Sequence, residues 1–149
     1  MKYFIILLLA FSCIFSYAEK KPQNFVEKLL RDNFKTNPYM AWVKVIKVEE
    51  KGRLMLYPTY LLKCEVRETF KGKVLKKIAF FCAVEEGYKK LPIGKEYIVS
   101  LFYEKKKKVY YLGDNGYDLP VTKKLLKVAR ELKEKWAKKR KNKESFPAI

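Results

Sequence analysis

Histidine is missing from all 149 residues. That gap excludes Ser-His and Cys-His nucleophile pairs and any histidine-ligated metal. Cysteine is scarce, with three residues at Cys13, Cys64 and Cys82. Two thiols outside the N-terminal segment are too few for a cysteine-only zinc site. The six glycines are scattered and form no phosphate-cradling loop. Acid–base chemistry would fall to carboxylates, Lys or Tyr, and the carboxylates mostly alternate with lysines, as in Glu131-Leu132-Lys133-Glu134-Lys135. No catalytic residue, cofactor or metal site is expected, and the chain does not read as an enzyme.

Long apolar runs are equally scarce. The longest spans Tyr3 to Phe15, short of the roughly 20 residues a membrane-spanning helix needs. Lys2 precedes it and Ser16-Tyr17-Ala18 follow, before the polar Glu19-Lys20-Lys21. This is the layout of a secretory signal peptide over residues 1–18, and it predicts export to the periplasm or beyond. Attachment through Cys13 as a lipoprotein is disfavoured, because Ala10-Phe11-Ser12 lacks the leucine usual three positions before such a cysteine.

Negative charge is in short supply too: 34 Lys and Arg stand against 16 Asp and Glu, for a net charge of +18. Loss of the signal with its Lys2 leaves +17, from 18 − 1. Such a charge draws anionic surfaces: nucleic acid, acidic glycan or anionic lipid headgroups. The lysines are spread over every segment, which is also how a generic solvated surface reads.

What is present is a folded domain. Half the chain is apolar or aromatic, with 11 Tyr and 10 Phe. The roughly 130 residues after the signal suit one modest core. Residues 19–38 form an N-terminal helical segment, with apolar residues at helical spacing from Asn24, a candidate N-cap, to Phe34, and a stop at Asn37-Pro38. Five strands follow: Met40 to Glu49, Thr59 to Phe70, Lys77 to Cys82, Glu96 to Tyr103 and Val109 to Leu112. Turn signals divide them at Lys51-Gly52, Lys71-Gly72, Glu86-Gly87, Leu91-Pro92 with Gly94, and Lys105 to Lys108. Short strands so punctuated predict a small antiparallel barrel. Thr122 caps a closing amphipathic helix whose stripe, Leu125, Ala129, Leu132 and Trp136, packs on that barrel. Barrel and helix together span 39–138, and 139–149 read as a basic flexible tail. In the loop Gly113-Asp114-Asn115-Gly116-Tyr117-Asp118, Asn-Gly reads as a tight turn rather than a calcium loop.

If the second hairpin turns about Lys73, facing residues share the index sum 146, and Cys64 opposes Cys82. Both lie on the apolar faces of their strands. In an oxidising compartment that geometry predicts a Cys64–Cys82 disulfide.

Ala41-Trp42-Val43-Lys44-Val45-Ile46-Lys47-Val48-Glu49, then Leu62-Lys63-Cys64-Glu65-Val66 running into Phe70-Lys71-Gly72, resemble the opening strands of netrin-like and tissue-inhibitor-of-metalloproteinases-like domains. Cys82, Gly94-Lys95-Glu96-Tyr97-Ile98-Val99, and Asp118-Leu119-Pro120-Val121 leading into Leu125-Leu126 extend the resemblance over Ala41 to Leu132. It implies a five-stranded OB-type barrel, mainly β, with a C-terminal amphipathic helix and a short N-terminal one. The inhibitors' activity does not carry over. They place an N-terminal cysteine on the protease zinc, and no cysteine lies near Glu19. The expected function is an exported, non-enzymatic interaction module with a protein partner. The alternative is an electrostatic binder of an anionic polymer or membrane surface, through Lys105, Lys106, Lys107 and Lys108 with Tyr103 and Tyr110. Tyr97, Phe102 and Tyr111 would enlarge that platform, by stacking flat groups beside the lysines.

Overall fold

A computed structural model describes residues 23–54, 57–84, 92–113 and 117–144. The signal segment, the Glu86-Gly87 turn, Asp114-Asn115-Gly116 and the last five residues lie outside them. Helix α1 (Gln23–Thr36) leads into β1 (Tyr39–Leu54), β2 (Tyr57–Lys71), β3 (Lys77–Ala83), β4 (Glu96–Glu104), β5 (Val109–Leu112) and β6 (Asp118–Pro120), and helix α2 (Lys123–Glu144) closes the chain.

The strand order is β1-β2-β3-β5-β4-β6, and β1 also pairs with β4, which shuts five strands into a barrel. The neighbours run antiparallel except β3 and β5, which are parallel through Phe80↔Tyr110 and Phe81↔Tyr111. Closing so few strands requires sharp coiling, and β1 supplies it with four register shifts along its length. At one of them Ile46 is skipped between Val45↔Cys64 and Lys47↔Lys63, and Val45 also bonds the segment that leads into β4. The Val45 N–H donates to the Lys95 carbonyl at 3.0 Å, and its carbonyl accepts from the Gly94 N–H at 2.8 Å.

Alternation along β1 serves two cores. Tyr39, Ala41, Val43 and Val45 point into the barrel with Leu62, Cys64, Ile78, Phe80, Val99 and Leu101. Met40 and Trp42 point out, under the helices, with Phe70 and Ile98. Leu30 and Phe34 of α1 and Leu125, Val128 and Ala129 of α2 complete this second core, which Leu132 and Trp136 flank. The α2 stripe therefore packs on the barrel as its spacing predicts. Thr122 caps that helix as expected, its Oγ1 accepting from the Leu125 N–H at 3.1 Å. Ion pairs tie the layers together: Glu27 with Lys124 across the helices, and Glu68 on β2 with Arg130 at 2.9 Å and Lys133 at 3.4 Å.

Phe70-Lys71-Gly72 locks α1 to the barrel. Phe70 is buried in the second core. The Lys71 amine donates to the Phe34 carbonyl at 2.6 Å and the Lys35 carbonyl at 3.3 Å, capping the helix C-terminus, and sits 5.4 Å from the Phe34 ring centroid. Gly72 has φ of 93°, and a Cβ there would lie 2.8 Å from Tyr39 Cδ2 and 3.0 Å from the Pro38 carbonyl oxygen. Only glycine fits both the angle and the space.

Several expectations are corrected. In the second hairpin Cys64 faces Ile78 and Cys82 faces Tyr60, an index sum of 142 rather than 146. The cause is that β2 leaves β3 after Glu65 and continues to Lys71 on β1 alone, so the crossing centres on Lys71 rather than Lys73. The cysteines share the barrel interior four residues apart along the strand. That is about 13 Å, beyond disulfide reach. Both are free thiols. Burial pushes Cys64 up to about 12 and Cys82, which also feels Asp118, to about 11. Gly52 is not the first turn. With φ of 103° it forms an irregularity inside β1, which runs on to Leu54. Asn24 lies inside α1, one residue past its start. Beyond Lys138 the chain stays helical to Glu144, since Lys, Arg and Glu are strong helix formers.

Candidate anionic-ligand groove

The outer face of the barrel carries a row that the pairing register defines step by step. On β1, Glu49 faces Leu61 of β2, and Leu61 faces Phe81 of β3. Phe81 faces Tyr111 of β5, and Tyr111 faces Phe102 of β4. Alternation puts them all on the outside, because their neighbours Leu62, Phe80 and Leu112 point inward. The Phe81 and Tyr111 rings lie 5.7 Å apart at 30°, and Phe102 rests on Tyr117 at 5.2 Å. Four strand gaps of about 4.8 Å make the row about 19 Å long along the curved sheet.

Cations flank it. A hollow of about 370 Å³ opens over Phe81 and Tyr111, bordered by Lys51 and Arg53 of β1, Thr59 of β2, and Glu104 and Lys107 beside β5. A second, of about 410 Å³, lies on the same face beside Ile46 and Ala79, edged by Lys47, Lys63, Glu65 and Lys77, with the interior residues Cys64 and Ile78 also reaching its lining. The β4–β5 turn that carries Lys107 is tight. Glu104 pairs with Val109, and Lys108 takes a left-handed φ of 54° to close it.

Glu49 joins the two hollows. Its carboxylate meets Lys47 at 3.0 Å, Lys51 at 2.8 Å and Lys63 at 2.7 Å. Lys51 borders the first hollow, whereas Lys47 and Lys63 edge the second. Hydrogen bonds from Lys51 first, then Lys63 and Lys47, hold the Glu49 carboxyl far below the usual carboxylate range. Three ammonium groups on one carboxylate leave a local surplus of two positive charges.

The residues expected to bind anions are only partly together. Lys105, Lys106, Lys107 and Lys108 share one exposed turn, but among them Lys107 alone borders the hollow. Tyr103 and Tyr110 meet at 5.0 Å with their rings tilted by 52° on the opposite side of the sheet, and Tyr110 continues to the buried Tyr39 at 5.3 Å. Burial and the neighbouring Tyr103 raise the Tyr110 phenol. Tyr97 packs against the barrel interior. Phe81 and Arg53 were not singled out from the sequence, and Lys51 was read only as part of a turn. Alternation along Tyr110-Tyr111 would have separated the inward ring from the outward one, but nothing local announces the parallel β3–β5 pairing that brings Phe81 to Tyr111.

No protein-family model matches the chain, and no curated protein matches it. The groove itself therefore carries the functional reading. Its partly exposed ring row offers flat apolar contact, and the ammonium groups around it offer charge. The Cys64 and Cys82 thiols, pushed up by burial, hold almost no thiolate at neutral pH and supply no nucleophile.

Proposed function

We propose that this protein is an exported, non-enzymatic binding module that holds an anionic polymer across the outer face of its barrel. The carrying observation is the outward row Leu61, Phe81, Tyr111 and Phe102 with Lys51, Arg53 and Lys107 around it. OB-type barrels use this sheet face and its flanking loops for extended ligands. Aromatic rings bordered by lysines also match the general recipe for polymers that alternate flat and charged groups. This reading moves the interaction module behind the polymer binder. It also keeps the resemblance to netrin-like domains at the level of fold, without the inhibitors' zinc-directed terminus.

The test is binding of a labelled polyanion at low salt. Affinity should fall linearly on a log–log plot against salt as counterions are released. Lys51→Glu, Arg53→Glu and Lys107→Glu together should abolish it. The matched reversals Lys127→Glu, Lys135→Glu and Lys138→Glu on α2 should cost far less. Equal loss from both sets would refute the groove.

A further inference from the structure

The arrangement of charge around the ring row narrows the ligand class. The inference rests on the polymer reading above and goes one step further. Along the row, the positions on β2, β3, β5 and β4 are uncharged: Leu61, Phe81, Tyr111 and Phe102. The cations are displaced to the rows on either side. Arg53 and Lys51 lie toward the β1–β2 hairpin, and Lys63 with Lys47 lie toward Ala79. One row step is two residues, or about 7 Å.

A polymer that fits this pattern has neutral flat units with its charges in the linkers between them. Nucleic acid is built that way, with each base flanked by phosphates. Sulfated and uronic glycans carry their charges on the ring units themselves, so stacking a unit on Phe81 and Tyr111 would bring an anion over the uncharged row. A duplex hides its bases, so the strand must be single.

We infer that the ligand is single-stranded nucleic acid, stacked on Phe81, Tyr111 and Phe102, with Glu49 as a positioning residue that gathers Lys47, Lys51 and Lys63 to receive a phosphate. Glu49 is the β1 end of the same row, opposite Leu61. Without it, three mutually repelling lysines would spread into solvent. With it, they are held within 3.0 Å of one carboxylate while roughly half of each lysine side chain stays exposed. A phosphate arriving there meets three donors already assembled, so less side-chain freedom is lost on binding.

The experiment compares two probes on the full chain: fluorescent oligo-dT of about twelve nucleotides, within the range one OB-type barrel covers, and a heparin fragment of similar charge. Oligo-dT is expected to bind more tightly than the heparin fragment. Phe81→Leu keeps an apolar side chain but removes the ring. It should weaken oligo-dT about fivefold or more, with the salt slope and heparin binding unchanged, which also shows the variant is folded. Glu49→Gln removes a negative charge, so heparin should bind more tightly, as simple electrostatics requires. Oligo-dT should not share that gain, and the ratio of oligo-dT to heparin affinity should drop several-fold.

Tight heparin binding with oligo-dT ignored, or oligo-dT indifferent to Phe81→Leu, overturns the nucleic-acid inference and leaves the polymer reading standing. Equal tightening of both probes by Glu49→Gln overturns the positioning role. Failure of both probes to bind at low salt overturns the polymer reading itself.

Discussion

Gly72 and Lys71 show how much one residue can carry. At φ of 93°, with Tyr39 Cδ2 2.8 Å from where a Cβ would sit, Gly72→Ala must displace a buried ring and hold a strained backbone. It should cost about 1–3 kcal/mol, read as a lower urea midpoint. Lys71→Met keeps the aliphatic stem but removes the amine that serves the Phe34 and Lys35 carbonyls. A loss of about 1 kcal/mol is expected, with fraying at the end of α1 visible as faster amide exchange.

The thiols make a pH prediction. In the unfolded chain both ionise near pH 9, whereas in the fold Cys64 ionises near 12 and Cys82 near 11. Above pH 9 the unfolded state therefore releases protons that the native state retains. Stability is whole below pH 9 and declines from there toward pH 11 to 12. The raised phenols of Tyr39, Tyr97 and Tyr110 push the same way at the upper end. Urea midpoints measured against pH should show this fall, shallower in the Cys64→Ala, Cys82→Ala double variant. A thiol reagent at neutral pH should find neither cysteine until urea is added, and then both.

At the scale of elements, the second core joins α1 and α2 to the barrel, and apolar contact outweighs its ion pairs. Phe70 is 1 % exposed between the layers, so Phe70→Ala should cost about 3–5 kcal/mol. Arg130→Ala, which removes a half-exposed partner of Glu68, should cost under about 1 kcal/mol. Thermal unfolding of the two variants checks the order.

Elements are also where the sequence was most legible. The strand cores, the Asn37-Pro38 stop, the Thr122 cap and the α2 stripe all follow from local periodicity and capping chemistry. Register did not follow. Whether Cys64 faces Cys82 or Ile78 depends on where β2 parts from β3 and runs on against β1 alone, which is a tertiary choice. β6 was invisible as a strand, since three residues ending in proline carry no periodic signal. Gly52 reads locally as a turn, although its positive φ is spent on a bulge that helps coil β1.

For the whole molecule, the question is whether +18 is a solvated background or a directed surface. Lysines occur in every segment, and α2 too carries a dense basic face. What distinguishes the barrel face is the combination of charge with outward rings, and that combination arises only when β3, β5 and β4 are side by side. Tyr111 and Phe81 are thirty residues apart in the chain, so their pairing could not be read from spacing.

The most direct measurement is a map of backbone amide chemical shifts as a polyanion is titrated into the labelled protein. The changes should gather at Lys51, Arg53, Lys63, Phe81, Lys107 and Tyr111, and spare the exposed lysines of α2. Changes centred on residues 123–140, with the barrel face silent, would contradict the account.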